Sequence, residues 1–113
     1  MKKIDFNNKT FFLIENSDKG KVNSETRFEY KQDGNLVTAD YHGGTIIYGK
    51  IIALLNGDQL DMRYQCLTTA NELKAGKAIA KITALPNGKL KLKLNWEWLG
   101  STNETGVSEY LEN

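Results

Sequence analysis

Six side chains of this sequence could hold a small ligand if the fold brings them together. Large flat rings pack against apolar or planar molecules, and a guanidinium can bind a carboxylate through two hydrogen bonds. The six are three tyrosines, one arginine and two tryptophans: Tyr30, Tyr41, Tyr64, Arg63, Trp96 and Trp98. Because they lie far apart along the chain, only contacts between distant segments could make a site of them.

Residues suited to catalysis are few. His42 could act as a general base near neutral pH, and Asp40 lies two residues before it, but no serine or cysteine is marked as a nucleophile. Cys66 alternates with Met62 and Tyr64, which indicates a small core residue. One histidine and one cysteine are too few for a zinc site of the usual kind. We therefore expect no catalytic residues, no metal and no cofactor. The residues favour a protein that is not an enzyme, but they leave that question open.

The bulk composition predicts a globular protein. A chain of 113 residues is long enough for a single domain, residues 1–113, with a core of its own. Its 40% hydrophobic and 26% charged residues are far from disordered or membrane compositions. Residues 1–20 lack the pattern of a signal peptide, and no apolar run reaches the length of a membrane span. We expect a cytoplasmic location and no membrane partner.

Turn signals containing Gly and Asn divide the chain into short segments. They supply the positive φ angles that tight hairpins require. The segments between them predict strands at about 9–15, 25–32, 35–42, 45–55, 59–69, 74–85, 89–98 and 105–112. Several alternate between apolar and polar residues, as strands with one wet face do. Residues 71–82 could compete as a helix, but Gly76 interrupts them and Ala78, Ala80 and Ile82 share one strand face.

Eight consecutive strands joined by short turns predict an antiparallel meander. A long meander tends to close, because closure removes the exposed edges. The predicted fold is therefore an all-β, eight-stranded, antiparallel up-and-down β-barrel. A β-sandwich and a five-stranded OB barrel are the alternatives.

The segments YHGGTIIYGK, MRYQ and WEW, taken with FEYKQDGNLV and LPNGKLKLKLN, are spread over residues 28–98 of the chain. In these segments the chain resembles a family of short bacterial proteins that often carry the name N-acetylglutamate synthase. The resemblance implies a compact lipocalin-like or streptavidin-like barrel. An acetyltransferase would present backbone amides from a glycine-containing loop at a helix N-terminus to its anionic cofactor, and no such segment occurs here. The acetyltransferase function stays the third alternative.

The strand of residues 89–98 places Trp96 and Trp98 on its inner face. The neighbouring strand offers small residues beside them, such as Ala78 and Ala80. These small residues would either leave room for an apolar or planar ligand or let the indole rings fill the barrel at normal core density. The first interpretation makes the protein a small-molecule binder. The second makes it a structural or interaction module with a filled core.

Arg63 and Glu97 each lie between inward-facing residues of their strands. Simple alternation places both on the outer surface, where ion pairs contribute little stability. A local β-bulge would instead turn them inward, where they could bind a carboxylate. Both placements remain open from the sequence.

A stripe of lysines lies on the face opposite the tryptophans. Such a stripe can neutralise phosphates, but single-strand binders also need aromatic residues on the same face for base stacking. Glu109 could neutralise the stripe if the last strand pairs beside it. We expect no nucleic-acid partner, and the lysines instead discourage aggregation of strands. The stripe consists of Lys77, Lys81, Lys89, Lys91 and Lys93.

The segment TIIYGKIIALL, residues 45–55, is apolar on both faces, so its inward face cannot be assigned. A strand with one wet face would not have this pattern. We therefore expect a second subunit, making a homodimer, or the N-terminal segment to cover its outer face. The expected partners are thus a small-molecule ligand and a second copy of the chain.

Overall fold

The computed structural model describes residues 4–16, 25–100 and 104–113, which form eight antiparallel strands. Most of them show the alternation of buried and exposed residues that one wet face produces. The segment that could have been a helix is a strand, because one of its faces packs into the core. The strands are β1 (Lys9–Asn16), β2 (Arg27–Asp33), β3 (Leu36–Gly43), β4 (Ile46–Asn56), β5 (Gln59–Thr68), β6 (Leu73–Ala84), β7 (Leu90–Trp98) and β8 (Thr105–Glu112).

The strands form a closed barrel. Each strand pairs with the next along the chain, and β1 also pairs with β8, where Phe11 lies opposite Glu112. Closure leaves no free edge among the eight strands. The predicted eight-stranded up-and-down barrel is confirmed, and neither the sandwich nor the five-stranded barrel applies. Within the described ranges, no helix is both long and apolar enough to cross a membrane.

The two ends of the barrel differ. At one end, called here the turn end, the β2–β3, β4–β5 and β6–β7 connections are short hairpin turns. Gly34 and Gly57 adopt φ angles of +62° and +64° in two of these turns, a conformation that other residues rarely adopt. The opposite end, called the loop end, carries the β1–β2, β3–β4, β5–β6 and β7–β8 connections.

The turn end is filled by aromatic rings. Phe6, which precedes β1, is completely buried, and its ring centroid lies 5.8 Å from that of Phe11 and 5.2 Å from that of Tyr30. Its backbone N–H donates to the side-chain carbonyl of Gln32, which fixes the segment beside β2. Phe6 therefore occupies the interior at the turn end.

The inward face of β4 is now assigned. Ile46, Ile51 and Ala53 are buried, while Ile52 and Leu54 point outward and are 57% and 56% exposed. The outward apolar residues form what we call the β4 outer patch: Ile47, Tyr48, Ile52 and Leu54, each more than half exposed. The described N-terminal residues do not cover this patch, because Phe6 enters the barrel interior instead.

Candidate ligand site at the loop end

Four of the six predicted ligand residues lie in the half of the barrel nearer the loop end. The rings of Tyr64 and Trp98 meet edge to face with centroids 5.5 Å apart, and those of Trp96 and Trp98 are 6.1 Å apart. Trp96 is 6% exposed, while Trp98 and Tyr64 are half-buried. The fourth, Tyr41, is buried against Phe28, with ring centroids 4.7 Å apart.

Small residues on β6 make room for the tryptophans. Trp96 lies opposite Ala78, and Trp98 lies opposite Gly76. A Cβ atom on Gly76 would lie only 2.6 Å from the ring of Tyr64 and from the backbone carbonyl of Glu97. Alternation of large and small residues is thus the device that fits three rings into this end of the barrel.

A second glycine serves the same purpose for Tyr41. Tyr41 lies opposite Gly49 on β4, and a Cβ there would lie 2.1 Å from the ring. The ring can therefore lie across β4, and its hydroxyl donates to the backbone carbonyl of Gln65 on β5 at 3.3 Å. The absence of a side chain at Gly49 sets the position of this ring.

Neutral polar groups accompany the rings. The indole N–H of Trp96 donates to Oγ of Ser108 at 2.7 Å, deep in the barrel. The Tyr64 hydroxyl lies 3.4 Å from the carbonyls of Lys77 and Glu97. Burial raises the pKa of the Tyr41 and Tyr64 hydroxyls, so both stay protonated near neutral pH. Tyr41, Tyr64, Trp96 and Ser108 thus offer uncharged hydroxyl groups and aromatic surface to the interior.

Tyr30 and Arg63 are not part of this group. Tyr30 lies toward the turn end between Phe6 and Phe11. Arg63 lies on the outer surface and binds Asp61 at 2.7 Å, because β5 pairs with β6 without a bulge that would turn the side chain inward. Of the two placements that the sequence left open, the outer one is correct.

The lysine stripe carries carboxylate partners on the outer surface. Lys91 pairs with Glu109 at 2.6 Å, as the sequence predicts, and Lys77 pairs with Glu97 at 3.1 Å. Lys81 pairs with Asp58. Glu97 therefore has an outer-surface lysine as its partner rather than Arg63. That this face does not bind nucleic acid stays a prediction.

The residues considered for catalysis also lie apart from the interior. His42 is on the outer surface, with Nε2 3.4 Å from Oε1 of Glu29. Asp40 instead accepts hydrogen bonds from Tyr48 and Lys50, which lower the pKa of its carboxyl group. Cys66 is buried. The described part of the chain contains no group of three or more His, Cys, Asp or Glu side chains that could hold a metal ion.

The sequence analysis missed two interior residues, Ser108 and Lys74. Alternation could have found both, since Ser108 shares the face of Tyr110, and Lys74 shares the face of Gly76 and Ala78. Lys74 is not one of the lysines of the outward stripe. Its ammonium group lies 5.1 Å from the ring centroid of Trp98.

Outside the barrel, a groove of about 640 Å³ follows the outer face of β5 to β8. Ile79 and Val107 line it together with the Lys77–Glu97 ion pair. A smaller groove of about 270 Å³ crosses β4 to β6 beside Ile52. Both are lined mainly by outward-facing residues, while Trp96 borders the larger groove and Tyr64 the smaller one.

Comparison with known proteins gives one match. Residues 4–113 match the family model described as avidin-like protein, which covers nearly the whole chain. No curated protein and no solved structure matches the chain.

Proposed function

The chain belongs to the avidin-like family, and we propose that its barrel binds a small apolar or planar molecule at the loop end. An eight-stranded barrel is wide enough either to be filled by its own side chains or to hold one small ligand. The observation that carries the proposal is the gathering of aromatic side chains toward one end of the interior. They are Tyr41, Tyr64, Trp96 and Trp98.

The direction of entry follows from the asymmetry of the ends. Phe6 fills the turn end, whereas Tyr64 and Trp98 at the loop end keep part of their surface exposed. A ligand that enters there meets an edge-to-face ring pair, which offers both a flat face and a ring edge. The single proton of the Tyr64 hydroxyl can donate to either of two carbonyls, each 3.4 Å away, so exchanging this long hydrogen bond for one to a ligand costs little.

A fluorescence titration with N-phenyl-1-naphthylamine, a neutral planar probe, tests the proposal. We expect saturable binding with quenching of tryptophan emission, because the probe would lie against Trp96 and Trp98. Trp98→Leu should weaken binding about tenfold, since aromatic contact area is lost. Native mass spectrometry of protein purified from its own cells should show added mass if a natural ligand is retained.

Phe12→Leu is the matched control. Phe12 lies on the outer face of β1, where the Arg27 guanidinium is 5.9 Å from its ring centroid. Binding should be unchanged in this variant. Failure of the probe to bind the unmodified protein, together with the absence of any ligand mass, would contradict the proposal and favour a structural or interaction module with a filled core.

The acetyltransferase name carried by similar chains predicts binding of acetyl-CoA, and the same titration with acetyl-CoA checks it. The cytoplasm is the location that we propose for the ligand-binding function, and cell fractionation with detection of the protein checks that location.

We also propose that two copies associate through the β4 outer patch. Exposed apolar surface of this kind is characteristic of protein interfaces. Ile52 and Leu54 stand side by side along β4, and Arg63 and Asp61 are their partners on β5. The patch thus joins an apolar pair to a pair of opposite charges.

This arrangement is self-complementary. Ile52 and Arg63 form one row across β4 and β5, and Leu54 and Asp61 form a second row. A two-fold axis that runs midway between these rows and parallel to them would place Ile52 of one copy over Leu54 of the other, and Arg63 over Asp61. Such an isologous contact satisfies both charges and buries both apolar side chains. Aligned face-to-face packing of two sheets is a common geometry for such contacts.

Analytical ultracentrifugation tests the dimer. Ile52→Glu should shift the protein to monomer, because a buried carboxylate would face apolar side chains. Arg63→Glu should weaken association, and adding Asp61→Arg should restore it by exchanging the charges. Ile14→Glu is the control, since Ile14 is 52% exposed on β1, away from the patch. A monomer at all concentrations for the unmodified protein would contradict the proposal.

A further inference from the structure

Lys74 brings a positive charge to the loop end of the barrel interior. It lies near the start of β6 on the face of Gly76 and Ala78, and its strand partner on β5 is the buried Cys66. The side chain is half-buried, in contrast to its neighbour Leu73, which is 79% exposed on the outer face. Alternation along β6, rather than a bulge, therefore points this lysine inward.

The Lys74 ammonium group lies over an aromatic ring. Its Nζ atom is 5.1 Å from the ring centroid of Trp98, within the range of a cation–π contact. This contact holds the side chain at the ring that the proposed ligand would touch. Lysine buries its methylene stem in such positions while its charged head remains available for further bonds.

Among the described residues, no carboxylate forms an ion pair with Lys74. Lys77, Lys81 and Lys91 of the lysine stripe, in contrast, face outward and have acidic partners. Glu25, Glu72 and Glu104 lie at or near the loop end and have contacts of their own. The ammonium group of Lys74 thus keeps its donors for an anion that comes from outside the described chain.

We propose that the ligand of the loop end carries an anionic group, a carboxylate or sulfonate, that binds Lys74 while its planar or apolar body packs on Trp98 and Tyr64. This inference rests on the proposed ligand-binding function and names the chemical class of that ligand. The polar groups of the barrel interior determine which end of the ligand lies at the loop end. Deeper in the barrel the polar groups are the neutral Ser108 hydroxyl and Trp96 indole, so a charged head would remain unpaired there.

Two probes that share one ring system test the proposal. Anilinonaphthalene sulfonate carries an anionic group, and N-phenyl-1-naphthylamine lacks it. Lys74→Met removes the charge and keeps a side chain of similar length. We expect about a tenfold loss of affinity for the sulfonate probe, as for loss of one charged contact, and less than about a twofold change for the neutral probe.

Two further variants serve as controls. Lys74→Arg keeps the charge and should retain most of the sulfonate affinity. Lys77→Met removes an outward lysine three positions along the same strand, whose partner is Glu97, and should leave both affinities unchanged. Thermal unfolding of each variant shows that it is folded.

The outcomes separate the inference from the function on which it rests. If both probes bind and Lys74→Met weakens them equally or not at all, the inference is overturned and the proposed function stands. The inference is also overturned if Lys77→Met weakens the sulfonate probe as much as Lys74→Met does. If neither probe binds the unmodified protein, the proposed function itself fails.

Discussion

At the scale of single residues, the hydrogen bond between Trp96 and Ser108 stabilises the interior of the barrel. The indole N–H donates to a serine hydroxyl that is 1% exposed. Ser108→Ala removes the acceptor and leaves the donor buried without it. We expect the free energy of unfolding to fall by about 1–3 kcal/mol, the usual cost of an unsatisfied buried polar group. Urea denaturation followed by tryptophan fluorescence measures it.

A double-mutant cycle attributes the loss to this bond. In a Trp96→Phe background the donor is absent, so Ser108→Ala should cost less than it does in the unmodified protein. Ser108 also lies beside the Tyr110 hydroxyl, and any cost from that contact remains in both backgrounds. Equal costs in the two backgrounds would show that the Trp96 bond is not the source.

In the strands with clear alternation the face of each residue was predictable from the sequence, but its level along the barrel was not. Strict alternation in β7 places Trp96 and Trp98 inside and Lys91 outside, as observed. Tyr30 and Tyr64 also point inward, yet they lie toward opposite ends. The level depends on how each strand is offset against its neighbours around the closed barrel, which no single strand encodes.

At the scale of elements, the pair Tyr41–Gly49 couples β3 to β4. A methyl group on Gly49 would lie 2.1 Å from the Tyr41 ring, so one of the two must move. Gly49→Ala should therefore lower the free energy of unfolding by about 1–3 kcal/mol, although alanine is otherwise the better residue inside a strand. Chemical denaturation gives the value.

The same substitution in a Tyr41→Leu background provides the control. Without the ring, alanine at position 49 has space, and the substitution should be neutral or slightly stabilising. A loss of the same size in both backgrounds would mean that the ring does not cause it.

Sequence patterns at the level of strands predicted all eight elements, including β6, where alanine and lysine could also favour a helix. The alternation of Ala78, Ala80 and Ile82 decides in favour of a strand because these residues need one common buried face. The purposes of Gly49 and Gly76 could not be predicted in this way. Each glycine accommodates a ring from a neighbouring strand, and only the register between strands identifies that ring.

For the whole molecule, the tyrosines link stability to alkaline pH. The chain has five tyrosines, and all have a pKa above the ordinary value of 10.0. Burial is the main cause for four of them. The exposed Tyr48 owes its shift first to the hydrogen bond with Asp40.

The direction of the pH effect follows from these shifts. The unfolded chain loses its phenolic protons near pH 10, whereas the folded barrel retains them, so unfolding releases protons above that pH. Stability should be complete below about pH 10 and decline as the pH rises further. Ultraviolet absorbance should show little tyrosinate in the folded protein just above pH 10, and the full signal after addition of denaturant. A full signal while the protein is still folded would contradict the burial of these rings.

Closure of the barrel has a consequence for the rate at which the molecule forms. Seven strand pairings join neighbours in sequence, but the β1–β8 pairing joins Phe11 to Glu112 at opposite ends of the described chain. Hairpins form quickly, whereas a contact between such distant segments must first overcome the entropy of a long loop. We expect the hairpins to make up the transition state and the β1–β8 seam to close after it. Weakening the seam should then accelerate unfolding and leave the refolding rate nearly unchanged, so the seam would govern the lifetime of the folded barrel.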